Sequence, residues 1–146
     1  MTLIEKNIKR AFDIFFSFFG LLLFGWFILL TALVSKIFIT GCWFFTQQRV
    51  GQYGEVFNIS KIATIHLNES RKNTPRITKM GRFIRKVKID EFPQFWNVLV
   101  GEMSFVGPRP DVSGYADKLE GEERIVLNVR PGITGPATLR FRKEEL

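Results

Sequence analysis

The sequence predicts a mainly helical α+β protein held at a membrane, on three observations. An uncharged apolar run near the N-terminus is long enough for a membrane-embedded helix. A short alternating stretch behind it reads as a small β-hairpin. A basic amphipathic segment then supplies interfacial helices suited to a headgroup layer. The chain has 146 residues, room for one domain of ordinary size. The expected division is a membrane-embedded helix with a basic N-terminal flank over 1–36, and a domain at the membrane surface over 37–146.

Composition narrows the class. Hydrophobic residues make up 46% and charged residues 24%, which excludes a disordered chain. The net charge is +7. Cys42 is the single cysteine, so no intrachain disulfide and no multi-cysteine metal site can form. His66 is the single histidine, which removes His-His zinc chemistry. Both read as bystanders.

The apolar run is Ile14–Ser35, IFFSFFGLLLFGWFILLTALVS, without a charge. As a helix it measures about 33 Å, against a hydrocarbon core of about 30 Å. A cleavable signal peptide fits poorly, because the stretch is too long and no small-x-small site follows. A buried soluble helix would need a much larger domain around it. Lys6, Lys9 and Arg10 precede the run and Lys36, Arg49 and Lys61 follow it, so the positive-inside rule has little asymmetry to use. A re-entrant helix and a plain crossing both satisfy these charges.

Beyond Lys36 turns become frequent. Phe44–Val50 and Glu55–Ile62 are expected to pair as a hairpin across Gln52-Tyr53-Gly54, and residues 66–75 read as a polar loop. Between Ser70 and Ile89 lie Arg71, Lys72, Arg76, Lys79, Arg82, Arg85, Lys86 and Lys88 with no acid. Met80, Phe83, Ile84 and Val87 follow helical spacing, giving a basic amphipathic helix. A solvated face is the plain reading. Nucleic-acid binding lacks any accompanying module. Contact with anionic headgroups or a phosphorylated substrate fits best behind an embedded helix.

Asp90-Glu91-Phe92-Pro93 follows directly. Proline suits a helix's first turn, so Pro93–Val100 is expected to start a helix just past the two acids. Asp90 is then either a cap or part of a functional acid pair beside Arg85. Further on, prolines on both sides restrict the backbone around Arg109 in Gly107-Pro108-Arg109-Pro110, which makes its guanidinium cheaper to hold for bidentate phosphate binding. A structural turn is the alternative there. Arg130-Pro131-Gly132-Ile133-Thr134-Gly135 forms a second Gly/Pro site, and it is not a nucleotide-binding glycine motif.

KRAFDI at Lys9–Ile14, QQRVG at Gln47–Gly51, RITKMGRFIRKVKIDEFPQFWNVLVGEMSFVGPRP at Arg76–Pro110 and RPGITG at Arg130–Gly135 occur in that order. Together they resemble the bacterial sugar transferases, the monotopic polyprenyl-phosphate phosphoglycosyl transferases. The resemblance runs from Lys9 to Thr134 and is densest from Arg76 to Pro110.

The resemblance implies transfer of a sugar-1-phosphate from a UDP-sugar to polyprenyl (undecaprenyl) phosphate, a step that initiates capsule, exopolysaccharide or O-antigen synthesis. It implies Asp90 as nucleophile, an aspartyl phosphosugar intermediate, and Glu91 in proton handling or metal positioning. It implies Mg²⁺ on Asp90 and Glu91, and Lys61, Arg85 and Arg109 as groups binding substrate phosphate. The implied surroundings are membrane lipids at the cytoplasmic face of a bacterial inner membrane, with a cytoplasmic catalytic domain over 37–146 and no nucleic acid; a homo-oligomer is left open. The family commonly carries Ser-Pro midway through a re-entrant helix, where this chain has Gly25-Trp26. Its Lys-Phe-Arg-Thr-Met region is Lys61-Ile62-Ala63-Thr64-Ile65 here. Related chains run on past Leu146, so a terminal portion of the site is expected to lie beyond it. The alternative function is a catalytically impaired membrane-anchored scaffold or binding protein of the same fold.

Overall fold

Thr2 and Glu5 start the long helix. The Glu5 N–H donates to Thr2 Oγ1 (3.3 Å) and the Thr2 N–H donates to Glu5 Oε2 (2.8 Å), a reciprocal capping box that occupies donors otherwise orphaned at a helix N-terminus. From there α1 runs over Leu3–Ser35, a stretch without proline, and continues as a wider π turn over Lys36–Thr40. The computed structural model describes residues 2–40, 42–66, 76–114 and 118–135. Most of the expected polar loop, with Arg71 and Lys72, lies outside those residues.

Apolar side chains on α1 are largely exposed, Leu22 at 69% and Trp26 at 66% among them. Phe12, Phe15, Phe16, Phe18 and Phe19 touch one another in a series of ring contacts 4.3–5.5 Å apart along its outer surface. An apolar surface this extensive exceeds what a water-soluble monomer carries. The helix is long and apolar enough to cross or enter a bilayer.

The hairpin forms where the alternation placed it. Strands β1 (Phe44–Val50) and β2 (Val56–Ile62) pair antiparallel across a 3₁₀ turn, Gln52–Gly54, closed by the Gly51 N–H on Glu55 O (2.7 Å). Two residues, Ile65–His66, form β3 and pair antiparallel with β4 (Arg76–Ile77). Helix α2 covers Lys79–Lys86 and α3 covers Gln94–Val100. Strand β5 (Ser104–Val106) pairs in parallel with β6 (Gly132–Thr134), with a 3₁₀ stretch over Gly121–Asn128 between them in sequence. Helix α3 begins at Gln94 rather than Pro93, so the two acids are separated from it by Phe92-Pro93.

The chain divides into two compact units. The first gathers Met1–Phe19, Gln47–Ile59 and Gln94–Leu146. Phe57, Ile59, Val98 and Met103 form its core, with Phe105 and Ile133 packed against them. Its polar ties run from the first turns of α1. Arg10 donates to Val98 O (2.6 Å) and Leu99 O (2.9 Å) at the C-terminus of α3, where Val98 O also accepts the Gly101 N–H (3.2 Å). Asp13, 2% exposed, accepts from the Phe105 N–H (3.1 Å), and Lys9 donates to Ser104 Oγ. Gly101 closes α3 at φ +100°, the left-handed conformation that glycine adopts without a Cβ penalty.

The second unit gathers Gly20–Thr46 and Ser60–Pro93. Ile28, Ala32 and Ile62 form its core with Leu21, Ile89 and Phe92 against them. Ser35 Oγ donates to Ala63 O, and the Lys36 ammonium sits 4.9 Å from the Trp43 ring centre. Thr78 caps α2 by accepting the Gly81 N–H (3.0 Å). Ile84 is buried, while Met80, Phe83 and Val87 are exposed, as are Lys79, Arg82 and Lys86.

Candidate active site

The acid pair sits on a 3₁₀ turn, Ile89–Glu91, entered through Lys88 in the left-handed conformation (φ 59°, ψ 21°). A non-glycine residue there costs on the order of 1 kcal/mol. That corner turns the chain sharply out of α2. The Glu91 N–H on Lys88 O (3.2 Å) and the Phe92 N–H on Ile89 O (3.1 Å) close the turn. Asp90 therefore lies inside a turn and does not cap α3.

Ile89 and Phe92 bracket the acids and anchor the turn. Both pack on the Ile28, Ala32 and Ile62 cluster, and the Phe92 ring meets Phe24 edge-on with centres 5.5 Å apart. Asp90 is drawn in with them and is only 7% exposed. Glu91 stays half-buried, with its Oε1 accepting from Lys61 Nζ at 2.8 Å. Lys61 reaches it from the end of β2, and Arg85 is exposed on the last turn of α2.

Burial pushes the Asp90 carboxyl above its ordinary range, because a low-dielectric surrounding disfavours the charged form. The charge of Glu91 pushes in the same direction. Lys61, Arg85 and a hydrogen bond from Asp90's own backbone pull the other way, and burial with Glu91 prevails. The arrangement is a buried carboxyl beside a second carboxylate already occupied by a lysine. A cation-bearing ligand such as a metal-bound diphosphate would favour the ionised form of Asp90.

Asp90, Glu91, Lys61 and Arg85 are thus brought together within the second unit. Arg109 belongs to the first unit and is exposed there. The two Gly/Pro motifs read separately from the sequence are one construction. The Gly107 N–H donates to Thr134 O (3.0 Å), the Gly132 N–H to Pro108 O (2.8 Å), and the Ser104 N–H to Pro131 O (2.9 Å). On its other flank the Arg109 segment is held by the Val50 N–H on Asp111 O (2.9 Å) and by Arg49 on Pro110 O (3.2 Å).

Among the described residues no group of three or more His, Cys, Asp or Glu converges as a ready-made metal cage. Asp90 and Glu91 offer a pair of hard carboxylate donors. That is the set Mg²⁺ takes when phosphate oxygens and waters complete its octahedron, so the residues present fit Mg²⁺. Cys42 is exposed, and His66 lies in β3 opposite Arg76.

Sequence reasoning left Arg49, Asp13 and the Thr2–Glu5 box without roles. The box has a legible signal, Thr-x-x-Glu ahead of an apolar run. Asp13, a lone acid at the edge of that run, was a second signal: a carboxylate there needs a partner. Arg49 carried none.

The description "bacterial sugar transferase" belongs to a family model that matches residues 4–146. The chain is 37% identical over 138 residues to the UDP-N-acetylgalactosamine-undecaprenyl-phosphate N-acetylgalactosaminephosphotransferase of Aeromonas hydrophila, an alignment covering 88% of this chain and 33% of that protein. It is 37% identical over 142 residues to the UDP-glucose:undecaprenyl-phosphate glucose-1-phosphate transferase of Caulobacter vibrioides, covering 90% and 53%. It is 36% identical over 147 residues to the exopolysaccharide production protein PSS of Rhizobium leguminosarum bv. phaseoli, covering 91% and 74%. The chain therefore spans from a third to three quarters of the length of these relatives.

Proposed function

We propose, since the chain belongs to the bacterial sugar transferase family, that it moves a sugar-1-phosphate from a UDP-sugar to polyprenyl phosphate. The observation that carries this reading is a buried Asp90 beside Glu91, with the charges of Lys61 and Arg85 acting on it. The names of the relatives from Aeromonas and Caulobacter support the same reaction class.

In the proposed chemistry an Asp90 carboxylate oxygen attacks the phosphorus next to the sugar. The new O–P bond forms as the bond to the other phosphate breaks, and UMP leaves with that electron pair. An oxygen of the polyprenyl phosphate then attacks the same phosphorus, and the Asp90 carboxylate is regenerated. Splitting the transfer this way lets each pair of anions meet separately, and carboxylates are established phosphoryl nucleophiles. Arg85 and Arg109 supply positive charge to the diphosphate, and Lys61 holds Glu91 until the substrate's charge competes for it. Mg²⁺ held by Asp90 and Glu91 would neutralise diphosphate charge. Measured UMP release from a panel of UDP-sugars, with polyprenyl phosphate and Mg²⁺, tests the reading. Turnover with at least one sugar is expected, and none across a complete panel would overturn it.

The proposed setting is the cytoplasmic face of the bacterial inner membrane, with α1 embedded and re-entrant and α2 at the headgroups. Support comes from the charges on both flanks of the apolar run, Lys6, Lys9 and Arg10 before it and Lys36, Arg49 and Lys61 after it, which a helix returning to its side of entry would leave together on the cytoplasmic face. With Cys42→Ser as background, Leu3→Cys is expected to resist an impermeant thiol reagent in intact cells and to react after lysis. Labelling in intact cells would establish a crossing instead.

A further inference from the structure

Pro108 and Pro110 lack N–H groups, so the backbone flanking Arg109 offers chiefly acceptors and must be held by donors from elsewhere. Two donors do so. The Gly132 N–H takes Pro108 O at 2.8 Å, and the Arg49 guanidinium takes Pro110 O at 3.2 Å. The other arm of Arg49 is fixed by Gln47 Oε1 at 2.7 Å, which aligns its planar fork along the end of β1. The neighbouring Val50 N–H already secures Asp111 O at 2.9 Å. The bond from Arg49 therefore adds little to the tie between strand and loop, and it falls on the carbonyl of Pro110, the residue that follows Arg109.

The choice of a cation for that task is informative. Arg49 is half-buried, and its guanidinium is pushed below its ordinary range by burial first and by the charge of Arg109 second, with Asp111 opposing both. A neutral donor would hold the same carbonyl without that repulsion. That repulsion is offset when an anion is bound by Arg109.

We propose that Arg49 is a positioning residue for Arg109, holding the Pro108–Pro110 segment so that the Arg109 guanidinium is presented to the diphosphate of a nucleotide. The proposal rests on the reading of Arg109 as a phosphate-binding residue. Arg49 acts through Arg109 and has no contact with the ligand of its own. Its removal must therefore matter only while Arg109 is present, which a double-mutant cycle measures.

The experiment uses the full chain in detergent micelles and UDP as probe, with affinities from titration calorimetry and folding checked by thermal melting. Arg49→Lys keeps the charge and loses the fork; it is expected to weaken UDP binding about tenfold in the wild-type background and by less than about twofold in an Arg109→Met background. Gln47→Leu, which frees the other arm of Arg49, is expected to show the same dependence with a smaller loss, and it carries the test if Arg49→Lys melts early. An equal loss in both backgrounds would mean direct contact or a general effect on the fold, and would overturn the proposal. So would unchanged binding in Arg49→Lys. If Arg109→Met binds UDP as tightly as the wild type, the phosphate-binding reading of Arg109 falls, and this proposal falls with it.

Discussion

Asp90→Asn is expected to abolish transfer, by about 10⁴-fold or more, while raising the melting temperature at neutral pH. The loss follows from the chemistry: an amide of nearly the same shape cannot form the bond to phosphorus. The gain follows from the burial of Asp90, whose carboxyl titrates above its ordinary value in the folded chain. The native state then holds that proton more tightly than the unfolded state does. Stability is fully present below the unfolded value of 3.8 and declines as pH rises from there through the folded-state value. Asparagine carries no charge to desolvate, so its advantage should be clear at pH 7 and vanish below about pH 4.

Two readouts separate this from a structural role. Intact-protein mass spectrometry with UDP-sugar and Mg²⁺, without acceptor lipid, should find a phosphosugar adduct on the wild type and none on Asp90→Asn. Glu91→Gln should cripple turnover yet leave partial adduct formation, because Glu91 does not itself bond phosphorus. A capping role for Asp90 predicts almost no change on substitution by asparagine, which caps as well as aspartate. Asp90 lies within the Ile89–Glu91 turn, and that geometry already argues against a cap. An Asp90→Asn protein that still turned over would remove the residue from the chemistry.

Gly132→Ala is expected to cost about 3 kcal/mol or more and to unfold the first unit well below the wild-type melting temperature. A Cβ at Gly132 would meet Thr134 O at 2.6 Å and Gly107 Cα at 2.7 Å, with the Gly107 nitrogen closer still. Those are backbone atoms committed to the β5–β6 ladder, so they cannot swing aside as a flexible side chain would. Relief requires separating the strands, which breaks the Gly107–Thr134 and Gly132–Pro108 hydrogen bonds and releases the Arg109 segment. Gly25→Ala is the matched control: nothing lies within 4 Å of its added methyl, and alanine favours helix. If Gly132→Ala melted within a degree or two of the wild type, the close backbone approach would not be a real constraint.

The sequence by itself determined the elements whose cause is local. The uncharged apolar run from Ile14 to Ser35 reads as a long apolar helix on its length and lack of charge, and it is one. Alternation placed β1 and β2 and the turn between them. Spacing of Met80, Phe83, Ile84 and Val87 located α2, and adjacency alone set Asp90 beside Glu91 and near Arg85. Only the tertiary structure decided what those acids experience. Lys61 lies thirty residues from Glu91 yet bonds it, and Asp90 is buried because Ile89 and Phe92 pack on the distant residues Ile28 and Ala32. The joining of Gly107 to Gly132, and of Arg49 to Pro110, likewise spans loops of many residues. No periodic pattern encodes such partners. They follow from which surfaces exclude water together, and desolvation, which sets the charge on Asp90, belongs to the packed volume and not to the residue.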